Sequence, residues 1–225
     1  MSRSKDYIFK KNNNVLELVG DFEGFYQNNN DPWDQNSKDS DMSSYYEFSR
    51  KRLIQSIKSL KNVKTIVEIG CGLGIVTSLI NESMDGCILS GIDISETAIS
   101  KARLKYSHIN FNVGNIASPS FNNPESLDVI ILNQMLWYIL ENLDIAIDNV
   151  YNILNDEGFL IISMAFLNEQ NYGKDIIDGF DGLIDYCKSD INDKFELIYS
   201  DLDQSNDYDY NDGIVCLRKI NKGIK

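Results

Sequence analysis

The sequence predicts an α/β fold, a doubly wound and mostly parallel sheet covered by helices, and three observations predict it. Over residues 61–225 short β-branched runs alternate with segments of helical periodicity, the pattern of strands joined by crossover helices. Several of the runs are apolar nearly throughout, as in Val129-Ile130-Ile131-Leu132, which fits strands covered on both faces. The first run ends directly in Gly70-Cys71-Gly72-Leu73-Gly74, a glycine-dense turn of the kind that joins a strand to a helix in nucleotide-binding sheets.

The expected strands are 65–69, 87–93, 109–113, 127–132, 158–164, 195–201 and 213–219. The expected helices are 74–81, 95–106, 143–154 and 175–188, and Ser95 is the N-cap candidate of the second. The last two strands are separated only by residues 204–212, rich in Asn, Asp and Ser. They should form an antiparallel hairpin near one sheet edge. Residues 1–60 form a separate compositional zone, polar, Asn-rich and aromatic, with one possible short strand at 15–19. The Asn runs at 12–14 and 28–30 read as loop or tail. The expected division is a lid or cap over 1–60 and a main domain over 61–225.

Composition narrows the function classes. The 225 residues suit one domain of ordinary size. Lys+Arg is 21 against an Asp+Glu count of 34, a formal charge of −13, which repels phosphate backbones and anionic membranes. The run Arg50-Lys51-Arg52 reads as a solvated helix face. Cys71, Cys87, Cys187 and Cys216 form no C-x-x-C pair, and His108 is the one histidine. No metal site is expected, and reduced thiols point to a cytoplasmic protein. Residues 1–11 carry no apolar stretch of the signal-peptide kind, and no apolar run reaches membrane-spanning length.

The glycine turn carries the chemistry. Glycines permit the tight turn, and a missing Cβ lets a ligand approach the backbone. The spacing is Gly-x-Gly-x-Gly, not the Gly-x-Gly-x-x-Gly that sets a pyrophosphate on a helix N-terminus. Glu68 stands two residues ahead of the first glycine, where it would be unfavourable beside a pyrophosphate and favourable near a cation. Asp93 closes the next strand in Gly91-Ile92-Asp93-Ile94-Ser95, where a carboxylate can accept hydrogen bonds from both ribose hydroxyls. Alone, the turn can be merely structural and Asp93 merely a helix cap; together they point to an adenosine-type ligand.

Glu68-x-Gly70-x-Gly72-x-Gly74 followed by Asp93 resembles motif I and the acidic position after it in class I S-adenosylmethionine (SAM)-dependent methyltransferases. The resemblance covers about residues 60–165. It implies a Rossmann-like seven-stranded sheet in the order 3-2-1-4-5-7-6, with the last strand antiparallel. It implies SAM as cofactor, with Gly70, Cys71, Gly72 and Gly74 lining its methionine and ribose portions and Asp93 holding the ribose. Ile94 and Ile116 would pack on the adenine faces. Asn115 stands where many members carry an Asp for the adenine amine. Asn133 and Met135, after the fourth strand, are further cofactor candidates; Gln134 and Tyr138 stand where relatives often carry Glu and His, and Trp137 would face the acceptor.

A second resemblance lies in Asp31-Pro32-Trp33 followed by Tyr45-Tyr46-Glu47 and Arg50, with Phe22-Glu23-Gly24-Phe25-Tyr26 ahead of it. It is similar to the N-terminal segment of bacterial NodS-like methyltransferases, which act on sugars and related small metabolites. It implies a helical lid in which Tyr46 and Arg50 approach the methionyl carboxylate while Trp33 and Tyr26 shape the acceptor pocket. The same aromatics could equally glue a cap helix to the sheet.

Methyl transfer asks the protein for alignment, exclusion of water and, for some acceptors, a base. His108 precedes the third strand, at the sheet end away from the ligand side, and reads as a surface residue. No His/Asp or Lys/Asp pair stands at the strand ends. Tyr138, Gln134 and Asp181 are candidates to orient the acceptor, and Tyr172 and Phe180, after the fifth strand, could line its pocket. The expectation is a bacterial small-molecule methyltransferase, monomer or homodimer, acting on a sugar, nucleotide sugar or other polysaccharide-linked metabolite by O- or N-methylation, with a phosphate-type oxygen also open. An NAD-dependent oxidoreductase and a non-catalytic SAM-binding subunit are the alternatives. A nucleic-acid methyltransferase is disfavoured by the charge and by the lack of a base-flipping motif.

Overall fold

A computed structural model describes residues 5–13, 15–35, 42–123, 126–204 and 210–221. The chain opens with α1 (Lys5–Ile8), the hairpin β1 (Phe9–Asn12) and β2 (Val15–Leu18), then α2 (Phe22–Asn28) and α3 (Ser43–Ser59). The main sheet follows: β3 (Thr65–Ile69), α4 (Ile75–Ser83), β4 (Ile88–Asp93), α5 (Glu96–Lys105), β5 (Asn110–Val113), β6 (Leu127–Asn133), α6 (Leu143–Ile153), β7 (Leu154–Leu167), α7 (Gly179–Ser189), β8 (Phe195–Asp203) and β9 (Tyr210–Lys219).

The seven-stranded sheet runs β5-β4-β3-β6-β7-β9-β8. Numbered among the seven alone, this is the expected 3-2-1-4-5-7-6. Strands β3 to β7 pair in parallel, and β9 runs antiparallel to both β7 and β8. Of the expected turn 204–212, residues 205–209 lie outside the described residues.

Alternation along the central strands makes the sheet two-faced. Ile130 and Leu132 of β6 join a cluster with α6 and α7, through Ile147, Val150 and Leu183. Val129 and Ile131 join the opposite cluster with Leu53 and Ile57 of α3 and Val76 and Ile80 of α4. The long helix α3 therefore covers the sheet as well as reaching the ligand side.

Several boundaries and one added strand differ from expectation, and three of these differences have local reasons. The helix expected at 175–188 opens only at Gly179, whose φ of 66° cannot be continued from a preceding helical turn. Strand β7 starts at Leu154 rather than 158, because Leu154 already pairs with Leu127 ahead of an irregularity in the register. The segment before residue 15 holds a second strand, β1, paired with β2 from Phe9↔Leu18 to Asn12↔Val15.

Candidate functional site

A cavity of about 430 Å³ opens at the carboxyl ends of β3, β4 and β6, beneath α2 and the N-terminus of α3. Its size and position are those of small-molecule sites in open α/β sheets.

The floor is polar and built on the sheet. Glu68, 3% exposed, accepts from Thr77 Oγ1 at 2.5 Å and Asn133 Nδ2 at 3.2 Å. Burial pushes its carboxyl up to about 7, against those two hydrogen bonds. Asp93 accepts from Gly72 N at 2.8 Å on one oxygen and from Ser95 N at 2.9 Å on the other. It too is raised, first by burial, and the backbone donors oppose the shift. The bond to Gly72 ties the acid at the end of β4 to the glycine turn at the end of β3.

The turn needs its glycines for unequal reasons. Gly70, Gly72 and Gly74 all have positive φ, at 73°, 52° and 72°. A Cβ on Gly72 would stand 2.4 Å from the Tyr26 hydroxyl, so the lid reaches down to the turn at this point. A Cβ on Gly74 would stand 2.6 Å from Phe111, and Gly74 is not on the cavity wall. Its role is close packing of α4 against the sheet, which corrects the expectation that it lines the ligand.

The lid is aromatic and held by polar clamps. Trp33 Nε1 donates to Tyr26 Oη at 3.0 Å, and Tyr46 Oη donates to Trp33 O at 3.0 Å. Phe22 packs edge-on to Tyr138 at 5.3 Å between ring centres, and Trp33 lies tilted against it at 5.8 Å. From α2, Glu23 accepts from Ser95 Oγ at 2.6 Å, Thr97 N at 3.1 Å and Thr97 Oγ1 at 2.5 Å, caps the N-terminus of α5, and is held down near 2 by those donors. Lys101 of α5 returns the contact, donating to Tyr26 O at 2.6 Å and Asn29 O at 3.0 Å. The sequence showed neither clamp, since the partners lie more than 70 positions apart.

Most of the expected site residues meet here. Tyr26, Trp33, Tyr46, Glu68, Gly70, Cys71, Gly72, Asp93, Ile94, Asn115, Ile116, Asn133, Gln134, Met135, Trp137 and Tyr138 all line the cavity. Asn115 Oδ1 accepts from Ala117 N at 3.0 Å, which orients the amide and leaves a second lone pair on the oxygen.

Other expectations change. Gln134 cannot serve as a free orienting group for an acceptor. Its Nε2 donates to Tyr45 Oη at 3.1 Å and Ser49 Oγ at 3.3 Å, and its Oε1 accepts from Ala165 N at 2.9 Å. These bonds bracket α3 to β7 and hold Gln134 at a φ of 55°. Tyr172 stands off the cavity wall, packed edge-on to Phe9 at 5.1 Å. Phe180 packs on Phe166 at 5.4 Å, also off the wall. Arg50 lies behind Tyr46, its guanidinium 5.2 Å from that ring, with Nε buried and unpartnered. Arg52 is no solvated charge: it bonds Asp201 Oδ2 at 2.6 Å and pairs with Asp212, which is 1% exposed and also accepts from Tyr45 Oη at 2.9 Å. His108 is exposed, as its place ahead of β5 requires. Among the described residues no cluster of His, Cys, Asp and Glu could hold a metal ion, and no helix is long and apolar enough to cross a membrane.

Residues 67–162 match a family model described as a methyltransferase domain. The fold agrees with that of N-methyltransferase NodS from Bradyrhizobium japonicum WM9 in complex with S-adenosyl-L-homocysteine, with a TM-score of 0.67 at 20% identity over 86% of this chain and 94% of the other. It agrees also with magnesium protoporphyrin IX methyltransferase from Synechocystis PCC 6803 with bound SAM, at a TM-score of 0.64 and 15% identity over 88% and 93% of the two chains. In sequence the chain is 25% identical over 127 residues to trans-aconitate 2-methyltransferase of Escherichia coli strain 55989, covering 54% of this chain and 49% of that one. The chain thus spans about half the length of the curated relatives it matches.

The methyltransferase cofactor fits what these residues offer. Gly70 and Gly72 bring backbone to the cavity wall, and a half-exposed Ile94 and a buried Ile116 stand on the same wall with Asn115. Two buried carboxylates face a cavity that a sulfonium and a ribose would occupy.

Proposed function

We propose that the protein is a SAM-dependent methyltransferase acting on a small molecule, a sugar, nucleotide sugar or other polysaccharide-linked metabolite, by O- or N-methylation in the cytoplasm. The observation that carries the reading is the joint placement of Asp93, Glu68 and the Gly70–Gly72 turn around one cavity, tied by the Gly72 N to Asp93 bond. The likeness to an N-methyltransferase in fold, and to trans-aconitate 2-methyltransferase in sequence, supports a small acceptor.

The cofactor supplies an activated methyl on a sulfonium. The residues of this chain do the rest. Asp93 accepts from the ribose hydroxyls, and Ile94 and Ile116 flank the adenine while Asn115 accepts from its amine. Glu68, through Asn133, sets a negative field at the methionyl end, and Met135 packs beside Gly70, close to the position of its missing Cβ. Trp33, Tyr26 and Tyr138 exclude water and fix the line from nucleophile to sulfur.

Calorimetry with S-adenosyl-L-homocysteine tests this reading. The wild-type chain should bind it, and Asp93→Ala should weaken binding by about 100-fold, the worth of two hydrogen bonds to a charged acceptor. Unchanged affinity in a folded Asp93→Ala protein would remove the ribose contact. A heat-shift response to NAD and none to S-adenosyl-L-homocysteine would favour the oxidoreductase instead.

A further inference from the structure

Tyr26 reaches the cavity from α2 and comes to rest on the glycine turn. It is 4% exposed. A Cβ on Gly72 would stand 2.4 Å from its Oη, so the hydroxyl occupies space that the turn keeps clear of side chains. Gly72 and Asp93, tied by the bond from Gly72 N to Asp93 Oδ2, line the same cavity as Tyr26. Burial pushes the phenol well up, and the Asp93 carboxylate adds to the rise. The hydroxyl therefore keeps its proton.

That proton is unspent. An indole N–H is a donor only, and Trp33 Nε1 donates to Tyr26 Oη at 3.0 Å. Oη is the acceptor of this pair, so its own hydrogen points elsewhere. Asp93 takes its bonds from Gly72 N and Ser95 N, and Glu68 from Thr77 and Asn133. Among the described residues the Tyr26 O–H has no acceptor. Two neighbouring tyrosines of the cavity wall do spend theirs, Tyr45 on Asp212 Oδ1 at 2.9 Å and Tyr46 on Trp33 O at 3.0 Å. A buried donor left without an acceptor costs about 1–3 kcal/mol. A ligand oxygen lying over the turn would supply the acceptor.

The place on the turn selects the part of the ligand. Asp93 is the carboxylate whose field raises Tyr26, and Asp93 is the residue assigned to the ribose hydroxyls. A hydroxyl that donates to Asp93 still has lone pairs with which to accept. Resting on the methyltransferase reading above, we infer that Tyr26 is a cofactor-binding residue whose hydroxyl, fixed as a donor by Trp33 Nε1, donates to a ribose hydroxyl oxygen of the bound cofactor. Tyr26 then belongs to the cofactor site as well as to the wall of the acceptor pocket. Each donor feeds the next, from the Trp33 indole to Tyr26, from Tyr26 to the ribose, and from the ribose to Asp93. The cofactor thereby bridges α2 of the lid to β4 of the floor.

Calorimetry on the full chain tests this with two ligands, S-adenosyl-L-homocysteine and 5′-methylthioadenosine, which keeps the ribose and lacks the amino-acid end. Phenylalanine at position 26 keeps the ring and its packing on Phe25. Tyr26→Phe should weaken both ligands by the same factor, about fivefold to tenfold, the worth of one neutral hydrogen bond. Lys101→Met loosens the same helix from outside the cavity, since Lys101 holds Tyr26 O and Asn29 O and is not on the wall. It should bind both ligands within about twofold of the wild-type chain. The inference is overturned if Tyr26→Phe binds both ligands as tightly as the wild type. A loss confined to S-adenosyl-L-homocysteine overturns it too, by moving the bond to the methionyl carboxylate. An equal loss in Lys101→Met overturns it by assigning the effect to a loosened lid. A wild-type chain that binds neither ligand would overturn the cofactor reading itself and this contact with it.

Discussion

The floor and the lid of the cavity reach order by different routes. The floor comes from the ends of three neighbouring parallel strands. Glu68, Gly72, Asp93 and Asn133 meet because β3, β4 and β6 lie side by side in register, with Glu68 level with Gly91 and Ile131. The lid comes from α2, the segment through Trp33 and the start of α3, which pair with nothing in the sheet's ladder. It is fixed by side chains instead: Glu23 on the N-terminus of α5, Lys101 on the end of α2, and Arg52 with Tyr45 on Asp212 of β9. Backbone pairing sets the floor rigidly, so the lid is the part whose hold a single side chain can loosen.

The largest effect should come from the anchor of α3. Arg52→Met leaves the buried Asp212 carboxylate without its cation and should cost about 3–5 kcal/mol in urea unfolding. Asp212→Asn placed in that background should recover part of the loss. A cost within experimental error for Arg52→Met would mean that the lid helix is held by Leu53 and Ile57 alone.

The pH dependence separates the two regions by sign. The Glu68 carboxyl is raised in the folded protein, from 4.5 to about 7. Its contribution is fully present below pH 4.5 and is lost as pH rises through 7, a fall of up to about 3 kcal/mol. Asp93, also raised, acts in the same direction. Glu23 is lowered from 4.5 to about 2, so its contribution is present above pH 4.5 and is lost as pH falls towards 2. Glu68→Gln should flatten the stability curve between pH 4.5 and 7, and Glu23→Gln should flatten it below 4.5. Equal curves for both variants would erase the distinction between floor and lid.

Where lid meets floor, Gly72→Ala should cost about 1–3 kcal/mol from its positive φ and its collision with Tyr26. Tyr26→Phe in the same chain should return the collision part only. Additive costs in that double-variant cycle would show that the Tyr26 hydroxyl does not rest on the turn. The smallest effect is expected at Lys101→Met, about 1 kcal/mol, read as faster hydrogen exchange confined to α2. Faster exchange across the sheet would place Lys101 in the frame rather than in the lid.

The strands and the floor were legible in the sequence because both depend on local pattern, while the strand order followed from the resemblance to class I methyltransferases. The runs that make β3, β6 and the middle of β7 are mostly apolar on both faces, and Gly-x-Gly-x-Gly with Glu68 before it and Asp93 after it sits at fixed distances from strand ends. Gly74, Tyr172 and Gln134 were misread because type and position could not say which neighbours would occupy them. Gly74 met Phe111, Tyr172 met Phe9, and the Gln134 amide was consumed by Tyr45, Ser49 and Ala165.

Sequence alone determined the sheet, the turn and the acid that follows it, since periodicity and glycine spacing act over a few residues. Only the tertiary structure decided the Glu23 and Lys101 clamps and the burial of Arg52 against Asp212. Those contacts join positions 70 to 160 residues apart through side chains, and a contact between distant side chains leaves no period in the sequence to read.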